Sequence, residues 1–216
     1  MDETQFFPLQ VAVRGEQGSL RRIVLSGVML LALALSGCAL LGGGTPQLDT
    51  YDLSAPTATE GPRRGHLQVL IAEPSALKAL DGQNIVIRPS PGVIQYLKGA
   101  QWADRLPKVV QARLAETFQK SGRFGGVGRP GEGLAIDYQV IVDIRSFEVK
   151  VEHGSLAHIA LYVRILNDRD GVVKTSKTFE ADAPVSGAGN DAYVGALDAA
   201  FREAAVAIVA WSAAVM

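Results

Sequence analysis

The stretch Leu134–Val151, LAIDYQVIVDIRSFEVKV, decides the fold. Ile136, Tyr138, Val140, Val142 and Ile144 hold the even phase, and Phe147, Val149 and Val151 continue on the odd phase. Strand side chains alternate between faces, so the slip at Arg145-Ser146 predicts one inserted residue, a β-bulge or bend, within a long strand. Glu152-His153-Gly154 turns the chain. Leu156–Leu166 alternates again, with Ile159, Leu161, Val163 and Ile165 on one face and His158, Ala160, Tyr162 and Arg164 on the other. Asn167-Asp168-Arg169-Asp170-Gly171 reads as a hairpin turn, and Val172–Glu180 as a third strand. An antiparallel meander with one buried and one polar face is the expectation.

Working outward, two helices are predicted. Pro107 suits a first helical turn, where its missing N–H is harmless. Leu106, Val110, Leu114, Thr117 and Phe118 share one face, and Ser121-Gly122 ends the helix. Later, Asn190 reads as an N-cap. Val194, Leu197, Phe201, Ala204, Ala205, Ile208 and Trp211 then form an apolar stripe. Upstream, His66–Ala72 reads as a strand broken by Glu73-Pro74. Asn84–Arg88 and Val93–Leu97 read as a hairpin around Pro89-Ser90-Pro91-Gly92. The fold class is therefore α+β: an antiparallel β-sheet with two main amphipathic helices packed against it, after a lipoprotein signal peptide.

That signal lies at the amino end. Arg21-Arg22 precede an uncharged run, Ile23–Leu35, which leads into Leu35-Ser36-Gly37-Cys38. A basic segment, a short apolar segment and small residues at a cut describe a secretory signal. Its close resembles a bacterial lipobox, which implies cleavage before Cys38 and a cysteine carrying S-diacylglycerol and N-palmitoyl groups. The competing reading is a retained membrane helix. Ile23–Leu35 would span only about 20 Å at about 1.5 Å per residue, where a bilayer core needs about 20 apolar residues. Two or more acyl chains suffice for stable anchoring. The expected organisation is a signal peptide over 1–37, a glycine-containing tether over 38–50, and one domain over 51–216. The long segment before Arg21 leaves the translation start open. Ala39 follows the cysteine where Asp would hold an enteric lipoprotein at the inner membrane. By that analogy the expected site is the outer membrane facing the periplasm, with the periplasmic face of the inner membrane as the alternative.

Removing the leader leaves 179 residues, enough for one domain with a core. The 21 basic and 22 acidic residues form no basic stripe, which argues against nucleic acid as a partner. The one cysteine is claimed by lipid, so no disulfide forms within the chain. Phe124–Gly133 contains G-x-G-x-x-G (Gly126, Gly128, Gly131), but it follows a helix and contains Pro130, so it reads as a loop rather than a dinucleotide site. His66, His153 and His158 lack metal-ligand spacing, and no hydrolase or phosphate-loop motif is present. No catalytic residue, cofactor or metal is expected. Asp143 and Arg145 read as surface charge. Trp102 and Trp211 are the two candidate partner contacts, with a core role favoured for Trp102.

In order along the chain, the lipobox is followed by Tyr51-Asp52-Leu53, Ile85-Val86-Ile87-Arg88, Ile94-Gln95-Tyr96, Trp102-Ala103, Leu106-Pro107, Ser121-Gly122-Arg123-Phe124 and Val127. The strand from Tyr138 to Phe147-Glu148 closes the series. In this order and spacing the chain resembles the ABC-type transport auxiliary lipoproteins, the PqiC-like family. The resemblance implies a periplasm-facing lipoprotein working with an MCE-domain substrate-binding protein, a permease and an ATPase. Such systems move phospholipids or other hydrophobic compounds between membranes, and some members form rings, so a homo-oligomer is admitted. Two other readings stand beside it: a lipoprotein that itself carries a lipid, and a structural envelope lipoprotein.

Overall fold

The computed structural model describes residues 48–152 and 154–216. Among the described residues, nine strands form a single sheet. They are β1 (Asp49–Tyr51), β2 (Arg64–Ile71), β3 (Ser75–Ala76), β4 (Asn84–Arg88), β5 (Gln95–Trp102), β6 (Phe124–Gly128), β7 (Tyr138–Lys150), β8 (Leu156–Asn167) and β9 (Val173–Pro184). Helix α1 (Leu106–Ser121) lies between β5 and β6, and α2 (Asn190–Val215) closes the chain.

β7 is the axis of the sheet. Its 13 residues extend about 43 Å at about 3.3 Å per residue. One edge pairs along its whole length with β8, antiparallel, and β8 pairs with β9. This is the expected meander. The register of β7 on β8 shifts between Ile144 and Ser146, so Arg145 is the inserted residue. The insertion lets Val142 and Ile144 before it, and Phe147 and Val149 after it, all point into the core.

The other edge of β7 is too long for one short strand, and three share it. Val69–Ile71 of β2, then β3, then Val86–Arg88 of β4 each pair parallel to it. Pro74 separates the first two, since it lacks the N–H that would continue a ladder. β6 joins β2 in parallel, β5 joins β4 antiparallel, and β1 joins β5 in parallel. The sheet is therefore mixed, where a wholly antiparallel one was expected. Parallel partners come from distant segments, and alternation within a strand carries no information about their direction.

Both helices pack on one face. α1 lies over β2 and β6, α2 lies over β7, β8 and β9, and the helices touch each other. Leu106, Val110, Leu114, Thr117 and Phe118 are all buried, as the spacing predicted. Gly122 ends α1 at φ 60°, a left-handed conformation open to glycine. In α2 the stripe from Val194 to Ile208 is buried, with Trp211 half-buried at its end. The cap differs from expectation. Gly189 is the N-cap, and Asn190 Nδ2 instead donates to the Lys98 carbonyl at 3.1 Å, fastening the helix to β5. At the far end, Arg64 Nε donates to the Ala213 carbonyl at 2.9 Å, a cation at a helix C-terminus.

Two further expectations are corrected. Phe124–Gly128 is strand β6 rather than loop. A Cβ on Gly125 would stand 2.3 Å from the Gly65 carbonyl oxygen, so glycine is what allows β6 this approach to β2. β5 runs through Gly99 to Trp102 instead of ending at Leu97, with a register shift against β4 that Gly99 accommodates at φ 74°. The first strand also takes in Asp49 and Thr50, which the sequence placed in the tether.

Candidate interaction surface

The sheet face opposite the helices carries a row of polar side chains in register. Tyr96, Val86, Glu148, His158 and Asp182 stand in register across β5, β4, β7, β8 and β9. Arg88, one step further along β4, donates from Nε to Glu148 Oε2 at 2.7 Å. Glu148 is only 3% exposed, although no helix among the described residues covers this face. His158 Nδ1 lies 2.7 Å from Asp182 Oδ1. A second row carries Asp143, Tyr162 and Thr178. The bulge places Arg145 over the Tyr162 ring, 4.1 Å from its centre, with Asp143 at 3.8 Å and Thr178 Oγ1 at 3.4 Å. Ser75 Oγ donates to Asp143 at 3.1 Å. Charge and aromatic surface are thus held in fixed places by partners on neighbouring strands, as a contact surface requires.

The start of the domain is clamped to both helices. Tyr51 Oη donates to Asp191 Oδ1 at 2.6 Å, and the Ser54 N–H donates to Asp198 at 2.6 Å. The bond to the Asp191 carboxylate holds the Tyr51 phenol up at about 12. Asp52 receives the Arg113 guanidinium, which holds its carboxyl below the usual range. Arg113 also reaches Glu116 at 2.7 Å, and Lys120 reaches the other Glu116 oxygen at 2.7 Å.

Large aromatic side chains meet between sheet and helices. Trp102 is 1% exposed and meets the Phe147 ring edge-on at 5.7 Å, with Phe201 beyond it. Trp102 is therefore core and is withdrawn as a partner contact, because its side chain points under the helices from the last residue of β5. Trp211 is half-buried against Phe179, centres 5.5 Å apart, and keeps part of its surface in solvent. An open cleft of about 590 Å³ lies between Pro56, Glu60, Arg202 and Val206, and one of about 320 Å³ between His66, Asp137, Tyr138 and Arg169. There the Gln68 N–H holds the Asp137 carboxyl below its ordinary range, with Arg169 adding to it. Among the described residues, no group of His, Cys, Asp and Glu is arranged to hold a metal. Nor is any described helix long and apolar enough to cross a membrane. Cys38 and its preceding Leu35, Ser36 and Gly37 lie outside the described residues, as does His153.

The family model for the ABC-type transport auxiliary lipoprotein component matches residues 51–209, from the clamped Tyr51 to the last turns of α2. The chain belongs to this family. A solved structure from Xanthomonas campestris, of family model DUF330, is 27% identical; it covers 76% of this auxiliary lipoprotein and 94% of its own chain, at a TM-score of 0.69. A second solved structure, of an uncharacterised protein, shares the fold at 16% identity and a TM-score of 0.60, over 77% of this chain and 98% of that one. A curated protein of Bradyrhizobium diazoefficiens, itself uncharacterised, is 34% identical over 177 residues. The match takes in 79% of this lipoprotein but 47% of the relative, so the chain spans about half the length of the curated protein it matches. The family's description implies a membrane-anchored, periplasmic lipoprotein.

The sequence missed the Arg88–Glu148 pair. Alternation puts Glu148 on the polar face, but only the pairing of β4 with β7 shows that this carboxylate is buried. The available signal was a lone acid between the apolar Phe147 and Val149 in the longest strand.

Proposed function

We propose that this lipoprotein serves an MCE-type ABC system that moves phospholipids or other hydrophobic compounds between the inner and outer membranes, and that it acts by protein contact rather than catalysis. The family match over residues 51–209 carries the reading. Cys38 is the acylated residue, and Leu35-Ser36-Gly37 the cleavage motif. Ala39 favours the outer membrane. The partner is the MCE-domain substrate-binding protein, and its docking surface is the helix-free sheet face around Arg145, Tyr162 and Arg88. The aromatic packing of Trp102, Phe147 and Phe201 between sheet and helices supports contact over carriage of a lipid at that place.

The test is photo-crosslinking in intact cells from a residue replacing Tyr162, compared with one replacing Arg202 on α2. Adducts to the MCE-domain protein from position 162 and not from 202 are expected. Equal labelling, or none to that protein, would overturn the assigned surface. Replacing Cys38 by Ser should leave the chain without acyl groups and outside the outer-membrane fraction. Unchanged fractionation and acyl labelling would remove Cys38 as the anchor.

A further inference from the structure

We infer that the β4–β5 hairpin, residues 89–96, is a second membrane contact, resting on the lipid surface to which the chain is anchored. The inference rests on the Cys38 anchor proposed above. It starts from the exposed large apolar side chains, five of which, Leu48, Val93, Ile94, Tyr96 and Leu156, gather at one end of the sheet. Val93, Ile94 and Tyr96 are 43%, 41% and 46% exposed on this one hairpin, and Leu48 is 41% exposed beside it. Leu156, also exposed, sits at the same end of the sheet, opposite Lys150, which pairs across to Arg88 at the base of the hairpin. Isolated exposed apolar residues need no explanation, but a cluster of them marks a contact.

The direction of β1 says what covers it. β1 runs parallel to β5, Asp49 opposite Ala100 and Tyr51 opposite Trp102. β5 runs away from the hairpin, so the chain entering β1 comes from the hairpin side. Nine residues, 39–47, separate Cys38 from Leu48. Whatever their path, ten peptide steps reach at most about 35 Å. Covalent reach alone therefore keeps the acyl chains within that radius of Leu48, at the start of the strand that pairs with β5. A second binding site held so close acts at a high effective concentration, and weak apolar contacts then suffice.

The chemistry of the hairpin fits a bilayer interface. Two aliphatic side chains stand at the turn, and the Tyr96 ring follows one step down, where amphipathic aromatics favour the headgroup level. Lys98 is exposed on the same strand and Lys150 is half-buried nearby, both suited to anionic headgroups. Pro89 and Pro91 stiffen the turn, so inserting it orders little chain.

The test uses the full acylated chain. Its one natural thiol carries lipid, so a cysteine introduced at Ile94 or at Val172 is the one free thiol for a fluorescent label. Val172 is 59% exposed at the opposite end of the sheet. The two labelled chains are reconstituted in vesicles of phosphatidylethanolamine and phosphatidylglycerol, with or without a lipid bearing a quencher near the headgroup. Several-fold stronger quenching at position 94 than at 172 is expected. Adding Ile94→Glu to a chain labelled at Val93→Cys should remove most of the quenching there while flotation with vesicles persists. Equal quenching at both ends, in chains that still float, overturns the inference. So does a 94–94 disulfide without lipid quenching, which would give the hairpin to a second copy. A chain that does not float and lacks acyl mass overturns the anchor itself, and the inference with it.

Discussion

Removing Arg88 alone from the Arg88–Glu148 pair should cost more than replacing both partners. Glu148 is 3% exposed and its partner Arg88 is 31% exposed at the side chain. His158 faces Glu148 across the strands but has its Nδ1 engaged with Asp182 at 2.7 Å. Arg88→Met therefore leaves a buried carboxylate without its cation. Such losses cost about 3–5 kcal/mol when both partners are buried. Water already reaches the Arg88 side of the pair, which lowers the figure to about 2–4 kcal/mol. Glu148→Gln keeps the shape and leaves an arginine that can turn to solvent, so about 1 kcal/mol is expected. Replacing both, Arg88→Met with Glu148→Leu, removes the charges and fills the same space. It should fall within about 2 kcal/mol of the parent. Urea unfolding of the full chain carrying Cys38→Ser, followed by tryptophan fluorescence, gives each free energy. A double variant as unstable as Arg88→Met alone, or more so, would refute the claim that the unpaired charge is the source of the loss.

Other substitutions separate the two tryptophans and test the sheet. Trp102→Ala should cost about 3–5 kcal/mol, whereas half-buried Trp211→Ala should cost about 1–2 kcal/mol, both read from urea midpoints. Gly125→Ala meets the Gly65 carbonyl and should cost about 1–3 kcal/mol, with hydrogen-exchange protection lost first in β6 and its β2 partner. Tyr51 should titrate at about 12, and Asp191→Asn should return it toward 10, read as the ultraviolet difference against Tyr51→Phe. Because the folded value is raised, the Tyr51–Asp191 bond stabilises the fold fully below pH 10, and that contribution is lost as pH rises through 12.

The parts of the fold that sequence revealed are those with strict local periodicity. Alternation along β7 and β8 gave the meander, and a single parity break located the bulge at Arg145. Helical spacing gave both helices and their buried faces. Parallel neighbours were hidden, because β2, β3 and β4 reach β7 from separate places in the chain and nothing in their own alternation names the partner strand. β6 was hidden for a different reason. Glycines at 125, 126 and 128 look like loop punctuation, yet one of them is there to bring two backbones together. Trp102 could be read either way until β5 was seen to carry it under the helices. On the candidate surface, Tyr162 and Arg145 fell on the expected polar face. The burial of Glu148 depended on β4, which alternation cannot place.

The parallel pairing of β1 with β5 has a mechanical consequence. Tension on the amino end of the domain acts along the strand axis, toward the hairpin. Its ladder, Asp49–Tyr51 against Ala100–Trp102, is then loaded in shear, with its hydrogen bonds sharing the force instead of parting one after another. Behind it, Tyr51 on Asp191 and Asp52 on Arg113 pass that load into the two helices. A domain pulled by this end thus takes the strain across its whole body, and its short first strand is spared from peeling.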